Sequence, residues 1–476
     1  MRDAPSRRHF LAGASAAFAA TAVAATGAAA TLTALPGCAT APPAKASPPD
    51  VLLVTLCSAR ADRLGASGYA TRPTTPNLDR FAATAARFSH AWANGTWTNA
   101  AHASLLTGLL PGHHRVEDQL DKLVPGAPTL PGLLAAAGWR TGALLQEQGA
   151  MTLDARSDLL RDVSKVLDTP DLRRFSPDAL VEWIGRDAAP FFALVTLREA
   201  HLPYGDGGAF GAALHPDVVA WRAALPRPGS GEAAVWADAS DPNAWIAARA
   251  AADPAVRASL DLAYDAGLAA ADAAFGRLLT ALEATGRLAN AVVVVVGDHG
   301  EALPGHKDRL DRAVLRVPML IRAAGLQAVA VADTVSQVDV LPTVLGLAGL
   351  PLPKLRDGQD LGPALRGEAL PERGALSQAF PRDGSGALRV RSAYAKGALR
   401  VVQAESAAGA EPGSVARGSA EREAADGRVS TEPPGPAVDA LVAEMTALAA
   451  DTWVPAGPAA PVSAAVREQM RARGYW

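Results

Sequence analysis

The sequence predicts an α/β protein: a three-layer α/β/α sandwich built on a mostly parallel sheet, with a small C-terminal α+β subdomain. Three continuous apolar runs, Val51–Leu56, Phe191–Leu197 and Ala291–Val296, have the character of strands buried on both faces. The segment from Leu260 to Arg287 repeats its apolar residues at steps of three and four, which indicates an amphipathic helix. Strands of this kind separated by amphipathic helices form a mostly parallel sheet that is covered on both faces.

Length and composition allow a large hydrophobic core. The chain has 476 residues, of which 49% are hydrophobic and 20% are charged, so one large α/β unit with a small appendage fits the usual domain sizes. The formal net charge is −3, and no basic run or RNA-binding aromatic motif is present. We therefore predict no nucleic-acid partner.

Residues 1–38 have the features of an export signal rather than of a folded element. Arg7 and Arg8 form a twin-arginine pattern, and an uncharged, alanine-rich stretch follows them. The tetrapeptide Leu35-Pro36-Gly37-Cys38 resembles a bacterial lipobox, and peptidase cleavage nearby without lipidation is the alternative. The pattern predicts export by the twin-arginine route to the periplasm or cell envelope, with membrane contact only through a lipid anchor at Cys38.

Composition divides the remaining chain into a linker and two folded parts. Residues 39–49, rich in proline and alanine, are predicted to form a stiff linker. Residues 50–367 carry the alternating strand and helix pattern and form the predicted catalytic domain. Residues 368–476 form the C-terminal subdomain, in which a polar, Pro- and Gly-rich segment at about 405–437 is predicted to be mobile.

Three further regions have a distinct character. Ala387–Val402 has the pattern of a short antiparallel pair of strands, and about Val438–Ala450 that of one last helix. The region from Gly205 to Pro254 lacks a clear period and is rich in Gly, Pro, Asp and Trp. We interpret it as loops and short helices inserted over the edge of the sheet.

Polar residues follow each of the three buried strands at its carboxyl end. Ligands of open α/β sheets bind beyond the carboxyl ends of the strands, so these residues are predicted to meet at one site. In chain order they are Cys57 and Ser58, then Arg198, Glu199 and His201, and finally Asp298, His299 and Glu301.

Seven short motifs occur in an order that chance explains poorly. They are Arg60-Ala61-Asp62-Arg63-Leu64-Gly65, Thr75-Pro76-Asn77-Leu78-Asp79, Trp97-Thr98 with His102-Ala103-Ser104, His201-Leu202-Pro203-Tyr204, Asp298-His299-Gly300-Glu301, Arg316-Val317-Pro318, and Val338-Asp339-Val340-Leu341-Pro342-Thr343. In this order they resemble the sulfatase family of the alkaline phosphatase superfamily, over about residues 50–367. The resemblance implies a sandwich of alkaline-phosphatase and sulfatase type, and a hydrolase acting on a sulfate (or phosphate) ester outside the cytoplasm.

Thr98 occupies the position at which the resemblance places the nucleophile, at the start of a helix. A helix N-terminus offers free amides and a positive dipole end to a sulfate or phosphate, and a metal beside the hydroxyl would lower its pKa. The alternative is that Thr98 only caps the helix. A formylglycine nucleophile is not expected, because it requires Cys or Ser followed by a Pro and an Arg, whereas Thr98 is followed by Asn99, Ala100, Ala101 and His102.

The resemblance also assigns residues that would handle the anion. His102, His201 and His306 match positions that hold the sulfate group or protonate the leaving oxygen. Lys307 offers a positive charge to the anion, and a solvated loop lysine is the alternative. These four residues complete the predicted catalytic set with Thr98.

The predicted metal site departs from the family at one position. Asp298 matches a metal ligand and His299 lies beside it, near metal and ester, so the resemblance implies a divalent metal, Ca²⁺ or Mg²⁺. At the end of the first strand the family carries Asp, and this chain has Cys57. Three interpretations stay open: Cys57 is a soft ligand that favours Zn²⁺, the hard-metal site is lost, or Cys57 is a buried residue that fills space.

The predicted function is therefore hydrolysis of a sulfate (or phosphate) ester in a small molecule or glycan. One alternative is a catalytically degenerate member of the fold that binds anionic glycans, which the replacement at Cys57 supports. The other is a phosphoryl head-group transferase, since related envelope transferases use a Thr nucleophile. Retention of Asp298, His299, His201 and His306 argues against the degenerate, glycan-binding protein.

Overall fold

The computed structural model describes residues 47–117, 121–146, 158–169, 175–202, 204, 214–224, 242–303, 309–354, 356–381, 389–402, 406–407, 419–424 and 428–452. The predicted signal peptide and residues 39–46 of the predicted linker lie outside the described residues. So do two predicted site residues, His306 and Lys307. In the described helices, none combines the length and apolarity needed to cross a bilayer.

An eight-stranded sheet forms the centre of the fold, which confirms the predicted fold class. Its strands are β1 (Asp50–Leu56), β2 (Ala86–Trp92), β3 (Arg140–Gln146), β4 (Lys165–Thr169), β5 (Phe191–Leu197), β6 (Ala291–Gly297), β7 (Met319–Arg322) and β8 (Val329–Ser336). They follow the spatial order β4-β3-β5-β1-β6-β7-β2-β8. The sheet is mostly parallel, because only β7 runs antiparallel to its neighbours β6 and β2.

The three apolar runs identified in the sequence lie side by side in the middle of this sheet. Every residue of β1, β5 and β6 is buried. Leu56, the last residue of β1, pairs with Leu197 of β5 and with Gly297 of β6. The three strands therefore end level with one another, and the polar residues that follow them emerge at one edge.

Twelve α-helices are present in the part of the chain that the structure describes. They are α1 (Pro76–Ala82), α2 (Thr98–Thr107), α3 (Pro111–His114), α4 (Leu130–Ala136), α5 (Asp178–Gly185), α6 (Pro216–Ala224), α7 (Pro242–Ala252), α8 (Pro254–Glu283), α9 (Arg312–Leu315), α10 (Val340–Leu347), α11 (Gly362–Leu365) and α12 (Pro436–Thr452). Separate hydrophobic clusters fill the two faces of the sheet, as the three-layer arrangement requires.

Helix α8 begins six residues before its predicted start. The Asp253 side chain caps it by accepting a hydrogen bond from the Ala255 amide at 2.8 Å, and Pro254 occupies the first turn. An Asp at the N-cap and a Pro in the first turn both favour the start of a helix. The apolar repeat used for the prediction, however, begins only at Leu260. The helix ends at Glu283, and Gly286 adopts a left-handed conformation with φ of 72° shortly after it.

A second sheet of antiparallel strands follows the first. Its strands are β9 (Ala375–Ala379), β10 (Arg389–Lys396), β11 (Leu399–Val402), β12 (Ser406–Ala407), β13 (Ala420–Glu423) and β14 (Val429–Thr431). The β10–β11 pair confirms the predicted antiparallel pair, and α12 corresponds to the predicted last helix. Leu441 and Met445 of α12 pack with Tyr394 and Val401 of the sheet. The predicted domain boundaries stay a prediction.

Candidate active site

Three potential metal ligands come together where β1 and β6 end. Cys57 follows β1, and Asp298 and His299 follow β6. The ligand atoms of these three residues all lie within 4.8 Å of one another, and all three side chains are buried. We call Cys57, Asp298 and His299 the ligand cluster.

The Asp298 carboxylate is anchored at one oxygen and open at the other. Its Oδ1 accepts hydrogen bonds from the amides of Ser58, at 2.9 Å, and His299, at 2.7 Å. Its Oδ2 is buried and accepts no hydrogen bond of normal geometry from the described residues. Burial opposes ionisation, but the neighbouring histidines His299 and His102 and the two amides bring the pKa of Asp298 below its ordinary value.

His299 has one ring nitrogen tied to the backbone and one that faces the cluster. Its Nδ1 donates to the Gly300 carbonyl oxygen at 2.9 Å, so Nε2 carries the lone pair. Nε2 lies 3.7 Å from Asp298 Oδ2 and 3.4 Å from the hydroxyl oxygen of Thr98. This tautomer lets Nε2 either bind a metal ion or accept the Thr98 proton.

Thr98 is the first residue of α2, as the nucleophile prediction requires. Trp97 occupies the N-cap position with an extended backbone, and the Thr98 hydroxyl faces His299. Only 2% of Thr98 is exposed. The alternative in which Thr98 serves as the helix cap is therefore not the observed arrangement, although its role as a nucleophile stays a prediction.

His102 connects α2 to β1. Its Nδ1 donates to the Thr98 carbonyl oxygen at 2.8 Å, and its Nε2 accepts from the Thr55 hydroxyl at 3.1 Å. Burial lowers the pKa of His102, against the charge of Asp298, which raises it. Both ring nitrogens are therefore engaged by the protein, and His102 holds the first turn of α2 in place.

His201 lies in the turn that follows β5, beside the strand that carries Cys57. The Cys57 amide donates to the Leu197 carbonyl oxygen at 2.8 Å, which places the two strand ends together. His201 donates from its own amide to Arg198 and from Nδ1 to the Leu202 carbonyl oxygen, at 2.9 and 2.8 Å. Its role toward the anion stays a prediction, as do those of His102, His306 and Lys307.

The sequence interpretation missed two residues that shape the site from a distance. The Tyr264 hydroxyl, on α8, donates to the Ser58 carbonyl oxygen at 2.8 Å and accepts from the Arg60 amide at 2.9 Å. Ser58 has φ of 59°, a left-handed conformation that is uncommon outside glycine. Gln337 donates to the carbonyl oxygens of Gly297 and Asp298, at 2.8 and 2.5 Å. A buried tyrosine in an otherwise apolar stripe was the available signal, since its hydroxyl needs a partner.

Arg198 is a further charged residue at this edge, which was predicted to lie at the site but was given no role there. Burial and then the charge of Asp298 raise the pKa of the Cys57 thiol well above its ordinary value, and Arg198 opposes them. In the absence of a metal ion, the neutral thiol of Cys57 is therefore favoured over the thiolate. Glu199, the next residue, is a buried carboxyl whose Oε1 accepts from Gln146 at 3.0 Å.

Comparison with solved structures places this fold in a known class. A 2-O GAG sulfatase superposes with a TM-score of 0.62 at 18% identity, covering 85% of this chain and 92% of that one. At such identity the likeness shows the fold alone, which is the α/β sandwich of sulfatase type.

The chain belongs to the sulfatase family. The family model described as Sulfatase matches residues 49–350. An ulvan-active sulfatase of Formosa agariphila is 26% identical over 64% of this chain and 63% of its own length. Arylsulfatase K of Bos taurus is 38% identical over 21% of this chain and 20% of its own length. The chain thus matches less than two thirds of the length of each of these relatives.

Proposed function

We propose that this protein hydrolyses a sulfate ester of an anionic glycan or a related small molecule. The observation that carries the proposal is the position of the Thr98 hydroxyl, 3.4 Å from His299 Nε2 and at the N-terminus of α2. A hydroxyl at that position faces both a proton acceptor and the free amides that stabilise an anion. Phosphate esters share this anionic geometry and are the alternative substrates.

The ligand cluster has the donor set of a divalent-metal site. Asp298 Oδ2, His299 Nε2 and Cys57 Sγ would hold the ion, and the open buried oxygen of Asp298 supports this assignment. One sulfur, one oxygen and one nitrogen suit Zn²⁺ better than Ca²⁺ or Mg²⁺, which prefer several oxygens. A bound ion would polarise the ester and lower the pKa of a neighbouring hydroxyl.

His299 Nε2 can serve only one role at a time. As a metal ligand it leaves the Thr98 hydroxyl beside the ion, and without a metal it accepts the Thr98 proton directly. In both cases Gln337 fixes the loop that carries His299, and His102 fixes the first turn of α2. Arg198 and His201 follow β5, the strand next to β1. There Arg198 would offer positive charge to the anionic ester, and His201 would hold the anion or donate a proton to the leaving oxygen.

A degenerate, glycan-binding protein is the second candidate function. The neutral Cys57 thiol favours it, because a thiol in place of a carboxylate weakens a hard-metal site. The twin-arginine pattern at Arg7 and Arg8 and the lipobox-like Cys38 support export to the cell envelope for either function.

Metal content and ester hydrolysis, measured on one preparation, test the proposal. Protein purified without chelator is assayed for bound metals by mass spectrometry and for turnover of aryl sulfates, aryl phosphates and sulfated oligosaccharides. We expect turnover of a sulfate ester that Asp298→Asn abolishes and Asp178→Asn, an exposed control on α5, leaves unchanged. Binding of sulfated oligosaccharides without any turnover would replace the hydrolase with the binding protein.

A further inference from the structure

A cavity of about 960 Å³ opens next to the candidate active site. Its walls come from the segment that follows β1, from β2 and β7, and from the second sheet. Its charged lining residues are Arg60, Asp62, Arg87, Arg312, Arg316 and Glu423. None of the residues assigned above to the reaction lines it.

The side chains that line this cavity carry more positive than negative charge. Asp62 pairs with Arg60 at 2.7 Å, and Glu423 is shared by Arg312 and Arg316 at 2.7 and 2.5 Å. The fourth arginine, Arg87, donates to the Ala66 carbonyl oxygen. Within the described part of the chain, no carboxylate forms an ion pair with it. The lining thus contains four arginines and two carboxylates, and Arg312 also pairs at 3.0 Å with Glu421, which lies outside the lining. Excess positive charge therefore remains for an anion.

Two of these guanidinium groups are held in place before any ligand arrives. Arg312 and Arg316 lie 5.5 and 5.6 Å from the centre of the Trp92 rings. Arg316 also donates to the Ser89 carbonyl oxygen at 2.8 Å. Positioned arginines lose little side-chain entropy on binding and can present two parallel N–H groups to a sulfate or carboxylate.

The floor of the cavity is apolar. Phe88, Met319 and Leu320 form part of it and are buried, whereas Val429 at its rim is 47% exposed. The lining also includes Ser67, Thr71 and Ser89, which carry hydroxyl groups. A ligand that fits must combine negative groups, hydroxyl groups and apolar C–H faces in a volume larger than one sugar ring, which describes an anionic oligosaccharide.

The cavity also contacts the loop that carries Asp298 and His299, two of the three residues of the ligand cluster. Arg60 donates to the Glu301 carbonyl oxygen at 3.3 Å, and the Glu301 amide donates to the Ala313 carbonyl oxygen at 2.9 Å. Both Arg60 and Ala313 line the cavity. A ligand there would thus lie behind the Asp298–Glu301 loop and not on the reacting ester.

We propose that this cavity is a second site, which binds an anionic oligosaccharide through Arg87, Arg312 and Arg316. The site requires no hydrolysis, so it stands apart from the proposed function. Only the choice of sulfate as the natural charged group rests on that function. A membrane surface or a nucleic acid fits less well, because the positive groups line a concavity and do not form a flat or continuous patch.

Calorimetric titration with defined tetrasaccharides tests the site. The full chain carrying Thr98→Ala, so that no ester is turned over, is titrated with a sulfated tetrasaccharide and with a polyuronate tetrasaccharide, which has no sulfate ester. We expect Arg87→Gln to weaken binding about tenfold, the usual scale for one charge-assisted contact. Arg186→Gln, the same charge change on the exposed arginine that directly follows α5, should have no effect. Asp62→Asn, which removes an exposed competing carboxylate, should strengthen binding.

The outcomes separate this site from the active site. Equal affinity of the parent and Arg87→Gln, together with no gain in Asp62→Asn, would overturn the proposal. Binding that is observed only with DNA or with anionic vesicles would also overturn it. So would oligosaccharide binding that Asp298→Asn abolishes and Arg87→Gln leaves unchanged. If oligosaccharides bind as expected while no ester is ever hydrolysed by the parent chain, the proposed function fails and the second site remains. Melting temperatures of all variants check that each is folded.

Discussion

The hydroxyl oxygen of Thr98, the first residue of α2, lies 3.4 Å from Nε2 of His299, the second residue after β6. The two residues are 201 positions apart in the chain. Their approach joins a helix N-terminus on one face of the sheet to the ligand cluster at its edge.

Removing the Thr98 hydroxyl should abolish ester hydrolysis. We expect Thr98→Ala to reduce kcat by at least about a hundredfold, because the nucleophile is lost, and Thr98→Ser to retain measurable activity. Initial rates with an aryl sulfate provide the measurement, and Thr107→Ala, at the other end of α2, is the control. Full activity in Thr98→Ala would show that the attacking group is not this hydroxyl.

Restoring a carboxylate at the end of β1 should create a hard-metal site. In Cys57→Asp, Ca²⁺ or Mg²⁺ at a hundred times its Kd would add about 2.7 kcal/mol to the free energy of unfolding. The melting temperature should therefore rise with either ion in Cys57→Asp and change little in the parent or in Cys57→Ser. Activity should rise in parallel, and Asp298→Asn should cancel both gains.

The opposite result for Cys57→Asp would be equally informative. If this variant neither binds metal nor gains activity while the parent hydrolyses esters, the reaction does not use the ligand cluster as a hard-metal site. Treatment with a chelator then distinguishes the two roles of His299. Loss of parent activity indicates a bound soft metal, and unchanged activity indicates that Nε2 accepts the Thr98 proton.

Glu199 should make the stability of the protein fall as pH rises. Burial raises the pKa of Glu199 to about 7, from an ordinary value near 4.5. The folded state then holds a proton that the unfolded state has released. This stability is fully present below about pH 4.5 and is lost as pH rises through about 7, by an amount on the order of 3 kcal/mol.

Replacing Glu199 with the neutral Gln should remove that dependence. Denaturant titrations from pH 4.5 to 8 should give a flatter profile for Glu199→Gln than for the parent, with the variant relatively more stable at pH 8. Glu182→Gln, on the exposed surface of α5, should follow the parent. Parallel profiles for the parent and Glu199→Gln would show that Glu199 titrates at an ordinary pKa.

Export should depend on the two arginines and on the lipobox-like cysteine. Replacing Arg7 and Arg8 by lysine should leave the precursor in the cytoplasm, and Cys38→Ala should release soluble protein in place of membrane-bound protein. Cell fractionation and immunoblotting provide the measurement, with Arg2→Lys as the control. A Cys38→Ala protein that still fractionates with membranes would contradict lipidation at this residue.

Much of the fold could be predicted because the burial of a strand or helix determines the local pattern of its apolar residues. The apolar runs of β1, β5 and β6 are continuous since each strand is covered on both faces, and the periodicity of α8 reflects one face against the sheet. The start of α8 was placed too late, because its first turn is set by Asp253 and Pro254 rather than by the apolar repeat.

Which residues form the candidate site could be predicted only in part. Asp298, His299 and Cys57 could be placed together because the carboxyl ends of neighbouring parallel strands meet at one edge. The contributions of Tyr264 and Gln337 could not, since their hydrogen bonds join segments whose proximity no local pattern encodes.

The sequence by itself thus determined which segments are buried, in what order they occur and which polar residues end the central strands. Those properties depend on the local periodicity of apolar side chains. Only the tertiary structure decided the strand order, the left-handed turn at Ser58, the approach of Thr98 to His299 and the arginine-lined cavity beside the second sheet. These features depend on packing between residues far apart in the chain, where the choice of partner is made by shape and hydrogen bonding in three dimensions.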